Sequence, residues 1–146
     1  MDNKEKGIAT FGNGFNCAQA VFSALSNEIG IEKITAIKVG GAFGSGMGRN
    51  GLTCGAVSGA LMAIGYKFGK DCQENTTGKD FTNNLVNQFF KEFKEANGSI
   101  ECKTLLDYDI AKEEEYKVAV NEGIFKKVCP KMVESAIVIA EKLLKS

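Results

Sequence analysis

A glycine-rich run between residues 40 and 51 constrains the fold of this chain more than any other feature. Glycine occupies nearly every second position of the run, GGAFGSGMGRNG. The run cannot form an ordinary helix, because glycine disfavours helices and readily adopts positive φ angles. Small and apolar residues then recur at helical spacing from Cys54 to Gly65 or Gly69, which predicts a tightly packing central helix after a glycine-rich loop. We expect Thr53 to be the N-cap of that helix, with Cys54 in its first turn.

The rest of the chain shows helical periodicity, and no segment alternates in the way that is typical of β-strands. We predict a short helix or loop in residues 1–14 and helices at 16–30, 31–39, 54–69, 80–97, 100–106, 109–120 and 130–144. Asn16 is the expected N-cap of the first long helix, and Pro130 takes the first position of the last one. A stripe of Phe81, Phe89 and Phe93 belongs to the core. The prediction is an all-α, single-domain bundle (residues 1–146) of about five to seven helices.

Composition and charge exclude several classes of function. Eighteen Lys and Arg residues balance eighteen Asp and Glu residues, so the charge does not indicate binding to nucleic acid or to an anionic membrane surface. No signal-type segment follows the N-terminus and no apolar run reaches membrane length, so we expect a cytoplasmic protein. The chain has no histidine, which excludes His-based acid–base catalysis, Ser–His and Cys–His nucleophiles, mixed Cys/His zinc sites and CxxCH haem attachment.

Five cysteines carry the reactive chemistry of the chain, and four of them fall at predicted helix starts. These are Cys17 after Asn16, Cys54 after Thr53, Cys102 in the turn after Ser99, and Cys129 before Pro130. Free backbone N–H groups and the helix dipole stabilise a thiolate at such a position and lower its pKa. We expect the lowest pKa at Cys54, with help from nearby Arg49. The alternative is that these thiols are inert packing; Cys72, in a polar loop, is assigned no role.

The spacing of the four cysteines excludes the common short motifs. No C-x2-C pair occurs, so the chain is not a zinc ribbon, a thioredoxin-type protein or a ferredoxin. Cysteines distant in sequence can still converge, because a helical bundle can bring several helix starts to one end. We therefore expect these cysteines to lie close together as ligands of one metal centre or, if only two converge, as a dithiol/disulfide pair.

These residues resemble the C_GCAxxG_C_C family of redox-active proteins. The resemblance rests on Cys17, on the core Cys54-Gly55-Ala56-Val57-Ser58-Gly59, on Cys102 and on Cys129, and it extends over essentially the whole chain. Thr53 precedes Cys54 where the family's name has glycine, which is a minor departure. The resemblance implies a redox role, with a bound metal or iron–sulfur centre.

Two interpretations of the glycine-rich run stay open. Its backbone N–H groups could approach a small anion or cofactor, to which Arg49, the only arginine, would pair. The residues of that site would be Gly44, Gly46, Gly48, Arg49 and Gly55. The run is neither a Walker loop nor a dinucleotide fingerprint, because no Lys-Ser/Thr follows it and no strand precedes it. Alternatively, glycines at four-residue spacing simply allow close packing.

Three hypotheses for function follow from these patterns. We favour a redox or electron-transfer protein whose four cysteines bind an iron–sulfur cluster or zinc, or form reversible disulfides. The second is a module that binds a small anion or cofactor and has structural cysteines. The third is a structural or regulatory subunit. The expected partner is a redox protein or a small thiol or disulfide, and assembly into a homo-oligomer stays open.

Overall fold

Helices account for the regular secondary structure of the chain. The computed structural model describes residues 1–146 and has nine helices: α1 Asn3–Gly12, α2 Cys17–Ala24, α3 Ser26–Ile29, α4 Lys33–Gly40, α5 Gly55–Phe68, α6 Gly78–Asn97, α7 Cys102–Leu106, α8 Glu113–Asn121 and α9 Ile124–Leu144. The all-α prediction is confirmed, since the only strand-like pairing is one bridge between Thr53 and Glu101. Nine helices exceed the predicted five to seven, partly because Leu25 divides the expected 16–30 helix into α2 and α3. None of them is long and apolar enough to cross a membrane.

Helix α2 lies at the centre of the molecule. Seven of its eight residues are buried, and it contacts α1, α4, α5 and α9. Asn16 caps it as predicted: the Asn16 side chain accepts a hydrogen bond from the Gln19 N–H (2.8 Å), and the Gln19 side chain accepts one from the Asn16 N–H (2.9 Å). This capping box sets the start of α2, and therefore the position of Cys17, its first residue.

Glycines let α5 lie directly against the backbone of α2. A Cβ atom on Gly59 would lie 2.7 Å from the carbonyl oxygen of Ala18, and one on Gly55 would lie 3.1 Å from the backbone nitrogen of Ala18. Ordinary contacts between carbon atoms are about 3.5–4.0 Å, so neither position has room for a side chain. At these two glycines the close-packing interpretation agrees with the structure.

The glycine-rich run contains a left-handed turn at residues 45–49. Five consecutive residues, 45–49, have positive φ angles between 53° and 68°. The expectation that the run cannot form an ordinary helix is therefore confirmed. Ser45, Met47 and Arg49 carry side chains, and each such residue costs roughly 1–2 kcal/mol in this conformation. Contacts with the rest of the protein have to hold the turn in place.

Three predicted helix starts are wrong, and one of them is that of α8, which begins at Glu113 and not at Asp109. Helix α9 begins at Ile124, so Cys129 and Pro130 lie inside it and not at its start. Pro130 removes one backbone hydrogen bond, but α9 buries apolar residues along its length, and this burial outweighs the loss. The N-cap of α5 is Cys54 itself, because Thr53 is held in the bridge with Glu101.

The buried apolar stripe of α6 is shorter than predicted. Leu85, Phe89 and Phe93 are buried, whereas Phe81 is 41% exposed and packs edge-on against the ring of Phe68. Phe81 lies in the first turn of α6, where the helix leaves the core. The predicted end of α6 at Asn97, with a glycine after it, is confirmed.

Two glycines of α5 make a matched test of the α2–α5 contact. We expect Gly59→Ala to lower the free energy of unfolding by about 1–3 kcal/mol, because the new methyl group overpacks against α2. Gly65→Ala should raise it by about 0.5–1 kcal/mol, because a Cβ there meets nothing within 4 Å. Urea unfolding of both variants measures the difference. Equal effects of the two substitutions would contradict the close contact.

Candidate functional site

Four of the five cysteines line one cavity of about 50 Å³. Cys17, Cys54, Cys102 and Cys129 are all buried, with 6–8% of each residue exposed. The other lining residues are Phe11, Asn16, Ser45, Gly55, Leu105, Leu106, Phe125, Val128 and Met132. Cys72 is exposed in the loop between α5 and α6 and takes no part. The structure therefore brings together the four thiols that the sequence singles out, from four separate segments.

A short backbone pairing places Cys54 and Cys102 side by side. The N–H of Cys54 donates to the carbonyl oxygen of Ile100 (2.7 Å), and the N–H of Cys102 donates to that of Leu52 (2.6 Å). These bonds flank the antiparallel bridge in between. Side chains alternate between the two faces of such a pairing, so both thiols lie on one face and point into the cavity.

Cys17 and Cys129 form the second pair in the cavity. Their thiols interact directly: a hydrogen bond from Cys17 stabilises the thiolate of Cys129 and lowers the pKa of Cys129. The same interaction, together with burial, raises the pKa of Cys17 well above its ordinary value. Helix α9 presents Cys129 from its interior, and α2 presents Cys17 from its first turn.

The prediction that Cys54 has the lowest pKa is wrong. Burial raises the pKa of Cys54 to about 11, although the backbone N–H groups of Ala56 and Val57 act in the opposite direction. Burial likewise raises the pKa of Cys102 to about 12, and the nearby Cys54 adds to the effect. The cavity lining contains no lysine, arginine or histidine that could stabilise a thiolate. Loss of hydration thus outweighs the helix start.

Only one of the residues predicted to bind an anion lines the cysteine cavity. Gly55 lines the cavity, but Gly44, Gly46, Gly48 and Arg49 do not. A Cβ atom on Gly44 would lie 2.3 Å from that of Asn16, and one on Gly46 would lie 2.4 Å from the backbone nitrogen of Leu52. Packing therefore explains these two glycines.

Arg49 does not line the cavity; its side chain fastens the left-handed turn to α8. Its guanidinium lies 3.0 Å from Glu113, and its Cζ lies 3.8 Å from the centre of the Tyr116 ring. Tyr116 in turn packs against Phe125, a residue of the cavity wall. Arg49 is thus joined to the cavity through two aromatic rings, and its charge is already paired.

Sequence reasoning missed three polar or sulfur-bearing residues of the cavity. Asn16 was predicted only as a helix cap, yet it also lines the cavity beside Cys17. Met132 follows Cys129 by three residues, a spacing that puts both on one helix face; this signal was present but depended on the correct helix start. Ser45 gave no signal, because it reaches the cavity only through the left-handed turn.

Comparison with known proteins gives one match. The profile of the family described as "Putative redox-active protein (C_GCAxxG_C_C)" matches residues 15–143. The chain belongs to this family. The matched region contains all four cavity cysteines and the glycine-rich run, so the resemblance noted in the sequence is confirmed. No curated protein and no solved structure matches the chain.

The arrangement of the thiols in this C_GCAxxG_C_C protein bears on which metal could bind. The donors are all sulfur, which suits iron–sulfur clusters, zinc and other soft metals. However, no three cysteine, aspartate or glutamate side chains are grouped so that they could hold a single metal ion. The four thiols line one cavity but do not form one tight set of ligands.

The raised pKa values predict that the protein loses stability in alkaline solution. Above pH 9 the unfolded chain releases thiol protons, whereas folded Cys54 keeps its proton until about pH 11. The free energy of unfolding therefore falls by about 1.4 kcal/mol per pH unit for this thiol. Urea unfolding between pH 8.5 and 10.5 should show a shallower fall for Cys54→Ala than for wild type. Cys72→Ala is the control: Cys72 is exposed, so the free energy of unfolding of this variant should fall with pH as steeply as that of wild type. If Cys54→Ala also falls as steeply as wild type, the raised pKa of Cys54 is contradicted.

The contacts of Arg49 predict that it keeps the cavity closed. Its ion pair and its stacking are each worth at most about 1 kcal/mol, so Arg49→Gln should make opening of the left-handed turn about fivefold more frequent. Arg49→Lys should give an opening frequency between those of wild type and Arg49→Gln, because lysine keeps the charge but loses the stacking on Tyr116. Alkylation rates of the individual cysteines in native protein, followed by peptide mass spectrometry, measure this. Cys72, which is exposed, is the internal control. Unchanged alkylation rates at the four buried thiols would show that Arg49 does not keep the cavity closed.

Proposed function

We propose that this C_GCAxxG_C_C protein is a thiol redox protein in which Cys17 and Cys129 cycle between a dithiol and a disulfide. The observation that supports this most is that both thiols line the same buried cavity, where Cys17 lowers the pKa of Cys129. A thiolate is the species that attacks a disulfide. Cys54 and Cys102, with strongly raised pKa values, stay protonated and are poorer nucleophiles at neutral pH.

The exchange would run in two balanced steps. The Cys129 thiolate attacks one sulfur of a partner disulfide; a Cys129–partner S–S bond forms, the partner bond breaks, and one partner thiolate leaves and takes up a proton. Cys17 then loses its proton and attacks the Cys129 sulfur, which releases the second partner thiol. Two electrons pass to the partner, and the chain ends with the Cys17–Cys129 disulfide. The reverse sequence oxidises a partner dithiol.

The shape of the cavity restricts the partner. Cys129 is only 8% exposed, and the cavity of about 50 Å³ holds little more than a few water molecules. A small thiol or disulfide, or a narrow segment of a redox partner protein, is therefore the proposed substrate. In the reducing cytoplasm, where we place the protein, the resting form would be the dithiol.

A second candidate function is one-electron transfer by an iron–sulfur cluster. The observation that favours it is that four thiols, and no charged side chain, line one cavity. Cys17, Cys129, Cys54 and Cys102 would hold the cluster as two pairs, and the cluster would supply a reversible one-electron couple. Its several atoms span more space than a single ion, so it suits thiols spread around a cavity better than zinc does.

Purification without oxygen, with iron, zinc and sulfide analysis, separates the two functions. The dithiol proposal predicts no stoichiometric metal, and loss of two thiols with one midpoint when the protein is titrated in glutathione redox buffers. Cys17→Ser and Cys129→Ser should abolish that two-electron transition, whereas Cys72→Ser should keep it. Stoichiometric iron and sulfide would favour the cluster instead. A wild-type protein that holds no metal and loses no thiol pair would overturn both.

A further inference from the structure

The walls of the cysteine cavity carry no charged side chain. Besides the four cysteines and one glycine, the lining consists of apolar residues from α1, α7 and α9 and of two neutral polar residues, Asn16 and Ser45. The Asn16 amide is already engaged: it caps α2 and donates hydrogen bonds to the carbonyl oxygens of Gly40 (3.3 Å) and Gly41 (3.2 Å). A charged molecule that entered the cavity would lose its hydration and meet no counter-ion. The lining therefore favours an uncharged substrate.

The size of the cavity restricts the substrate further. Its volume of about 50 Å³ corresponds to about three to five water molecules by this measure. Between 6% and 8% of each cavity cysteine is exposed, so molecules close to water in size reach the site while larger ones wait until its walls move apart. Glutathione disulfide is many times larger than this space and carries several charges. Disulfide exchange with a molecule of that kind therefore depends on opening of the cavity.

A hydroperoxide satisfies both restrictions. Hydrogen peroxide is uncharged and close to water in size, and it accepts two electrons, the number that a pair of thiols gives up in forming a disulfide. We propose that the closed cavity admits a small uncharged hydroperoxide, such as hydrogen peroxide, which oxidises its thiols. This activity rests on the proposed function, because it takes Cys17 and Cys129 as the reacting pair, and it adds an oxidant that needs no opening of the cavity.

The oxidation would run in two balanced steps. The Cys129 thiolate attacks one peroxide oxygen; an S–O bond forms, the O–O bond breaks, and the hydroxide that leaves takes up a proton and becomes water. Cys17 then loses its proton and attacks the sulfur of the Cys129 sulfenic acid. The S–O bond breaks, and the second hydroxide takes up that proton and becomes water. Two thiols become one disulfide, and one peroxide becomes two waters. Partner thiols restore the dithiol by the exchange described above.

The rate at which the cavity pair is oxidised, relative to the exposed Cys72 in the same chain, tests the proposal. Reduced native protein is treated with hydrogen peroxide or with glutathione disulfide, and each thiol is followed by peptide mass spectrometry. Cys72 reports the intrinsic reactivity of each oxidant. The ratio of the two rate constants should be at least tenfold higher with hydrogen peroxide, because only this oxidant enters the closed cavity. An equally high ratio with tert-butyl hydroperoxide would show that short alkyl hydroperoxides enter as well.

Two variants sharpen the test. Arg49→Gln, with more frequent opening of the left-handed turn, should speed the oxidation of the pair by glutathione disulfide about fivefold and leave its oxidation by hydrogen peroxide unchanged. Cys17→Ser lacks the second thiol, so one equivalent of peroxide should leave a sulfenic acid at Cys129, which dimedone labels after unfolding. Dimedone on Cys72 alone would overturn the proposal.

Two further results would also overturn it. One is the same ratio of rate constants with both oxidants, which would mean that the cavity does not select by size or charge. The other is a Cys17–Cys129 disulfide that forms in glutathione buffers but not with peroxide, a result that leaves the proposed function intact. Failure of the proposed function itself looks different, because then neither oxidant produces this disulfide.

Discussion

Contact between the backbones of α2 and α5 determines where the reactive thiols lie. Because Gly55 and Gly59 leave no side chain between these helices, the N-cap Cys54 comes to the start of α2, where Cys17 is the first residue. Backbone hydrogen bonds between the segment around Cys102 and the segment around Cys54 bring Cys102 to the same place. Helix α9, which packs on both α2 and α5, adds Cys129. The glycine motif of the family is thus a condition for the cavity, and not only a loop that leads to it.

Burial then determines what the thiols can do. A helix start and a few N–H groups stabilise a thiolate, but a cavity with apolar walls and no cation destabilises it more. Cys54 and Cys102 consequently resist ionisation up to about pH 11 and 12. The Cys17–Cys129 pair escapes this limit because one sulfur keeps the proton that stabilises the other. Under the proposed function, Cys129 is therefore the thiol that attacks first.

Much of the fold followed from local signals, and much of the site did not. The cap at Asn16, the end of α6 and the non-helical glycine run each depend on neighbouring residues, and all three predictions are confirmed. The position of Cys129 inside α9 depends on tertiary burial that overrides the usual place of a proline, so the local rule failed. The prediction for the pKa of Cys54 failed for the same reason. The packing of distant segments around this thiol raises its pKa, and local sequence does not show that packing.

Disulfide mapping by peptide mass spectrometry, after stepwise oxidation of the native protein, tests this account most directly. It asks which two of the four clustered thiols react first with each other. The account predicts that the first disulfide joins Cys17 and Cys129 while Cys54 and Cys102 are still free. A first disulfide between Cys54 and Cys102, or one that includes the exposed Cys72, would contradict it.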